Sequence, residues 1–208
     1  ALLIDFRSGQ REPVPLPAER MSLVVLDSQT RHELRSTTQR DRVAEARSAL
    51  VLVRRLVPGL PALGHLSPAA FLTIAHRLPE VERRRVRHVV TEVARVLQCR
   101  DALAAGDLTA AGHLLNLSHA SSRNDYETST PRLDLLQEQA ASCPEVYGAR
   151  LCGGGFGGCV VALVAAGCER AVVDRVSTGF ERAFGVRPGV HRLRPVGGLV
   201  ERAAGDCS

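Results

Sequence analysis

Residues 150–164 read RLCGGGFGGCVVALV, with five glycines around a single phenylalanine and an apolar run behind them. Glycine reaches positive φ without Cβ strain, and it costs folding entropy to order. A chain that concentrates it in one place is built for a tight bend, for a close approach, or for both. Residues 145–152 and 158–164 flank the bend as two β-branched, apolar strands, so the stretch is predicted to be a hairpin. Two readings stay open. The glycines let two backbones pack closely, or they clear space for a ligand whose anionic group consecutive N–H groups would hold.

Two familiar phosphate loops do not fit. Gly153, Gly155 and Gly158 satisfy G-x-G-x-x-G, but the dinucleotide form requires a helix to begin at the loop. Here Cys159-Val160-Val161 begins a strand. A P-loop requires lysine, and all 27 basic residues of this 208-residue chain are arginine. The net charge is +5. The densest basic run, Arg83-Arg84-Arg85-Val86-Arg87-His88, carries no interleaved aromatics to stack on bases, so nucleic-acid binding is not expected. The six cysteines form no CxxC pair and no zinc spacing. No metal site is expected from them. No apolar run has membrane-spanning length, and the predicted location is the cytoplasm.

The rest of the chain divides into strands and a helical block. Residues 1–6 (ALLIDF) read as a buried strand, which Pro13, Pro15 and Pro17 then interrupt as in an edge segment or connector. Residues 22–27 (SLVVLD) read as a second strand. A helix is predicted over 40–57, stopped by Pro58-Gly59. Another covers 79–105, where Val86, Val89, Val90, Val93, Val96 and Leu97 recur on one face. Gly106 is placed to stop it. Asp107 is placed to cap the next helix, and Thr130-Pro131 to open a third. A helix over 168–184 and a strand over 190–193 close the pattern. The class is α+β, an antiparallel sheet with helices on one face.

The segment GARLCGGGFGGCVVALV resembles the third motif of the GHMP kinases in its galactokinase form, Gly-(Ser/Ala)-Arg-Met-Thr-Gly-Gly-Gly-Phe-Gly-Gly-Cys followed by an apolar strand. Only Leu151 and Cys152 depart from it, where the motif has methionine and threonine. Residues 1–8 resemble the strand after the catalytic segment of that family, residues 85–92 (RVRHVVTE) resemble its helical block, and Ser118-His119 with Asn124-Asp125-Tyr126-Glu127 resembles its S-H-x-S-L-R-D-D-Y-E segment.

The resemblance implies a ferredoxin-like GHMP-kinase C-terminal domain over 21–208, with an added helical block. Residues 1–20 are then a strand and connector trailing from an N-terminal domain. It further implies phosphorylation of galactose at its anomeric hydroxyl by ATP with Mg²⁺. The catalytic aspartate is expected upstream of Ala1, so no catalytic residue is assigned, and inactivity alone is expected. Gly153, Gly154, Gly155, Gly157 and Gly158 form the substrate or nucleotide loop. Gln39, Asp125 and Tyr126 stand at sugar-pocket positions. Gln39 departs from the family tyrosine there, and Val43 and Ala46 depart from its arginine and cysteine. Asp125 and Tyr126 also suit a turn residue and a helix-pair anchor. Arg31 and His32 follow the second strand, where ligand residues often lie and solvated turns do too. Two alternatives remain: a silent relative that binds sugar or nucleotide, and a GHMP kinase for another sugar. Without its companion domain the chain is expected to expose an apolar surface.

Overall fold

The computed structural model describes residues 1–30 and 35–193, and for residues 35–39 the backbone alone. Twelve principal elements follow in order: β1 (Leu2–Ile4), β2 (Arg11–Pro13), β3 (Met21–Asp27), α1 (Arg35–Leu56), α2 (Pro68–Ile74), α3 (Glu80–Ala104), α4 (Leu108–Asn124), α5 (Pro131–Ala141), β4 (Val146–Cys152), β5 (Cys159–Ala165), α6 (Glu169–Phe184) and β6 (Gly189–Leu193).

Strands β3 to β6 form one antiparallel sheet in the order β4-β5-β3-β6. Its winding is the split βαβ arrangement of ferredoxin-like domains, with the helical block inserted after β3. Alternation along the strands sorts side chains to two faces. Val24, Leu26, Val160 and Ala162 meet α5 and α6 through Leu133, Leu136, Val176 and Phe180. Met21, Leu23 and Leu163 point the other way and meet Leu108 and Ala111 of α4. Both faces therefore carry helices, where one was expected. The reason lies in β3, which is apolar at successive positions and cannot leave either side wet.

The local punctuation acts as its residue types dictate. Asp107 accepts from the Ala110 N–H, and Thr130 from the Leu133 N–H, capping α4 and α5. Gly106 (φ +70°) and Gly185 (φ +71°) terminate α3 and α6 in the left-handed region. Helix α2 lay in a stretch left without an element by the sequence pattern. Its signal was Ser67-Pro68: the Ser67 hydroxyl accepts from the Ala70 N–H, the same device as Thr130-Pro131. With α1 and α3 it encloses a second core around Val53, Leu63, Phe71, Val86 and Val90.

Residues 1–6 depart from the buried strand expected of them. Strand β1 pairs with β2 alone, in a two-stranded hairpin outside the main sheet. Leu2 is 54% exposed, Ile4 41% and Phe6 91%. Apolar composition marks a strand that can be buried, and here no described element covers its outer side.

Candidate functional site

The glycine loop spans 153–158 between the roots Cys152 and Cys159, which face each other in the β4–β5 ladder. Gly153, Gly155, Phe156, Gly157 and Gly158 all have positive φ, from 56° to 120°. Glycine accepts such φ values without strain, and Phe156 is the non-glycine residue in the run. The loop has an anchored half and an open half. At Gly155 a Cβ would overlap the Thr128 carbonyl, and at Gly157 it would crowd Thr30. The Phe156 N–H donates to the Thr128 carbonyl (2.5 Å). At Gly153 and Gly154 a Cβ would meet nothing within 4 Å. Residues 155–157 are closely packed, and 153–154 leave free space.

Strand β4 is a sheet edge, and α4 seals it. The Asn116 side-chain carbonyl accepts from the Ala149 N–H (2.9 Å), and His119 Nδ1 accepts from the Leu151 N–H (3.1 Å). Helix and strand come this close because Gly112 and Gly148 face each other, and a Cβ on either would overlap the opposing backbone. His119 Nε2 donates to Asp134 (3.1 Å), which also accepts from Ser129 (2.6 Å). Burial pushes the His119 pKa down, against the pull of Asp134. The imidazole is neutral, with its proton on Nε2, and it braces the strand that enters the loop.

Asp125 and Tyr126 lie at the end of α4 and face the helical block. The Asp125 carboxylate accepts from Arg87 and from the Ser121 hydroxyl. Tyr126 stacks on His88, with centroids 4.4 Å apart. Its hydroxyl pKa is raised by burial. Glu127 (φ +53°) receives Arg42 (3.0 Å), Arg84 (2.8 Å) and Arg85 (2.5 Å). Arg85 is 1% exposed and also holds Glu45 at 2.6 Å. Burial lifts the Glu45 pKa. The basic run of α3 is therefore not a uniform stripe: Arg83, Arg84, Arg85 and Arg87 each meet a carboxylate.

Segment 125–130 consequently bridges two bodies. Its first residues dock on α1 and α3, and Thr128 seats the glycine loop. The backbone of Gln39 lies on α1, one turn before Arg42, while its side chain falls outside the described residues, as do Arg31 and His32. Val43 is exposed on the same helix. The sequence motifs include Glu127, Arg85 and Glu92 but assign them no role, and Thr128 is not singled out by them. Glu92 is half-buried on α3. Burial would raise its pKa, but the Ser118 hydroxyl (2.5 Å), Arg95 (2.5 Å) and Arg150 outweigh this and hold it low. Arg150, the arginine of the glycine motif, reaches Glu92 at 3.7 Å. Among the described residues, no group of three or more His, Cys, Asp or Glu could hold a metal ion, and no helix is long and apolar enough to cross a membrane.

Residues 99–181 match the family described as GHMP kinases C terminal. The galactokinase of Roseiflexus sp. (strain RS-1) is 41% identical over 184 residues, covering 88% of this chain and 46% of that protein. The galactokinase of Chloroflexus aurantiacus is 39% identical over 196 residues, covering 94% and 49%. The crystal structure of Lactococcus lactis galactokinase complexed with galactose superposes with a TM-score of 0.88 at 32% identity, over 93% of this chain and 50% of that one. L. major mevalonate kinase shares the fold, with a TM-score of 0.56 at 21% identity. The chain spans about half the length of the curated relatives it matches. The chain carries the fold of a GHMP-kinase C-terminal domain and, over nearly its whole length, resembles about half of a galactokinase.

Proposed function

We propose that this domain serves a galactokinase-like sugar kinase, which moves the γ-phosphoryl of ATP to the anomeric hydroxyl of galactose in the cytoplasm. Phosphoryl transfer asks the protein for positioning and charge stabilisation rather than covalent chemistry. This chain's part is a wall: Gly153 and Gly154 leave room for a phosphorylated guest, and the Thr128 seat keeps that room in place. The observation that carries the reading is this open half of an otherwise anchored loop, in a chain that resembles galactokinases along nearly its whole length. Gln39, Asp125 and Tyr126 border the sugar. Given their contacts, Asp125 and Tyr126 act as much by fixing the segment as by touching a ligand. ATP is used by the assembled enzyme with Mg²⁺, for which the described residues of this chain offer no cluster of ligands.

The companion half-pocket, with its aspartate, belongs to an N-terminal kinase domain. Residues 1–20 are the strand and connector leading from it, and 21–208 form the C-terminal domain. The test joins this chain to the N-terminal half of the Roseiflexus galactokinase. A coupled assay with ATP and galactose is expected to show turnover in the chimera and none with this chain alone. Turnover by the chain alone would defeat the assignment. A silent chimera that still binds galactose or ATP would favour the second reading, a non-catalytic binding relative, for which glutamine in place of the family tyrosine at position 39 speaks. Turnover with other hexoses but not galactose would move the substrate within the GHMP kinases.

A further inference from the structure

Cys152 and Cys159 stand at the two roots of the glycine loop, on the last rung of the β4–β5 ladder. Residues opposed in an antiparallel pair have Cα atoms about 4.5–5.5 Å apart, within the roughly 4.4–6.8 Å that a disulfide bridges. Both thiols are free and half-buried, and each perturbs the ionisation of the other. The motif that this loop resembles has cysteine at position 159 but threonine at 152. The motif therefore lacks this pair, which the present chain carries.

We propose that Cys152 and Cys159 form a redox-responsive dithiol that closes into a disulfide across the neck of the glycine loop, with a low-molecular-weight disulfide as oxidant. Cys152 attacks first. The Arg150 guanidinium favours its thiolate, whereas Asp27, the register partner of Cys159 on β3, disfavours a thiolate there. The Cys152 thiolate bonds to one sulfur of the oxidant. The oxidant's S–S bond breaks, and the departing thiolate takes up the proton that Cys152 lost. Cys159, as thiolate, then attacks the Cys152 sulfur and expels the second small thiolate, which takes up the remaining proton. Two protein thiols are oxidised, and one small disulfide is reduced to two thiols. Burial raises both cysteine pKa values, so closure is slow near neutrality and accelerates with alkalinity.

Closure ties the loop at both roots, immediately beside Gly153. Its effect on a bound guest rests on the proposed kinase role, but its formation does not. The whole chain is incubated with glutathione disulfide between pH 7 and 8. Expected are loss of two of its six thiols, a peptide linking residues 152 and 159, reversal by reductant, and a rate rising about tenfold per pH unit. Amide hydrogen exchange in the loop should slow on closure. Cys159→Ser should instead retain one glutathione on Cys152, and Cys152→Ser should lose the linkage. Thermal melts of both variants establish that they fold. Wild-type peptides with both thiols free, with glutathione on each, or with either cysteine joined elsewhere would overturn the proposal. So would loop exchange unchanged by closure. None of these readouts needs sugar or nucleotide, so their failure is separate from failure of the kinase assignment.

Discussion

At the scale of single residues, the five loop glycines are not equivalent. Gly155 combines φ +76° with a seat on the Thr128 backbone. Gly155→Ala must strain the backbone and displace Thr128, and it is expected to cost about 2–4 kcal/mol in a thermal or urea melt. Gly154 has neither constraint. Gly154→Ala is expected to keep stability within about 0.5 kcal/mol. In the kinase chimera it should weaken ligand binding by about tenfold, or about 1.4 kcal/mol, because its methyl enters the space kept for the guest. Equal stability losses at both positions would remove the distinction between anchored and open halves. Arg85 makes the opposite point. Charge counted along the chain makes its run the densest basic stretch, whereas burial depends on the helix face. Beside Val86 and Val89, Arg85 turns inward to Glu45 and Glu127. Arg85→Met removes the buried partner of Glu45 and Glu127, which keep Arg42 and Arg84, and is expected to cost about 1–3 kcal/mol.

At the scale of elements, caps, stops and apolar periods were legible because each depends on neighbours in sequence. Asp107, Thr130, Gly106 and the valines of α3 are of this kind. What was not legible depends on neighbours in space. Nothing near Ser118-His119 in sequence indicates that the imidazole accepts a hydrogen bond from an edge strand 32 residues later. Nor does Thr128 announce itself as a seat, since its partner Gly155 is distant in sequence. The α4–β4 seam gives two expectations. His119→Ala orphans the Leu151 N–H and should cost about 1–3 kcal/mol. Stability should also fall with acid. Burial lowers the pKa of both His88 and His119, although Glu92 and Asp125 near the first and Asp134 near the second pull upward. A folded-state pKa below the unfolded value, about 6.5, means that the unfolded chain binds more protons. The contribution is complete above about pH 6.5 and is lost as pH falls through the folded values. Melts from pH 7 to 5 should show that decline, with a shallower slope in His119→Gln. A slope unchanged by the substitution would exclude His119 as its source.

At the scale of the whole molecule, the sheet core and the helical core are separate apolar clusters, joined through α4 and through the ion cluster around Arg85. One surface is left over. The β1–β2 hairpin and α3 border a groove of about 940 Å³, lined by Leu3, Ile4, Phe6, Val93, Val96 and Leu97 beside Asp5, Arg7 and Arg100. Leu2, Ile4 and Phe6 all expose apolar area next to it. A two-stranded hairpin is marginal in water by itself, and a contiguous apolar patch of this kind marks a contact surface. Burying apolar area returns about 25 cal/mol per Å², so covering these side chains would stabilise the hairpin as well as the contact. The isolated chain is therefore expected to self-associate with rising concentration and to bind a hydrophobic dye. The triple variant Leu2→Thr, Ile4→Thr, Phe6→Ser should suppress both. Its melting temperature should hold within a few degrees, because none of the three belongs to either core. Sedimentation of the wild-type chain as a concentration-independent monomer would show that the hairpin is content in water, and the surface would then need no covering domain.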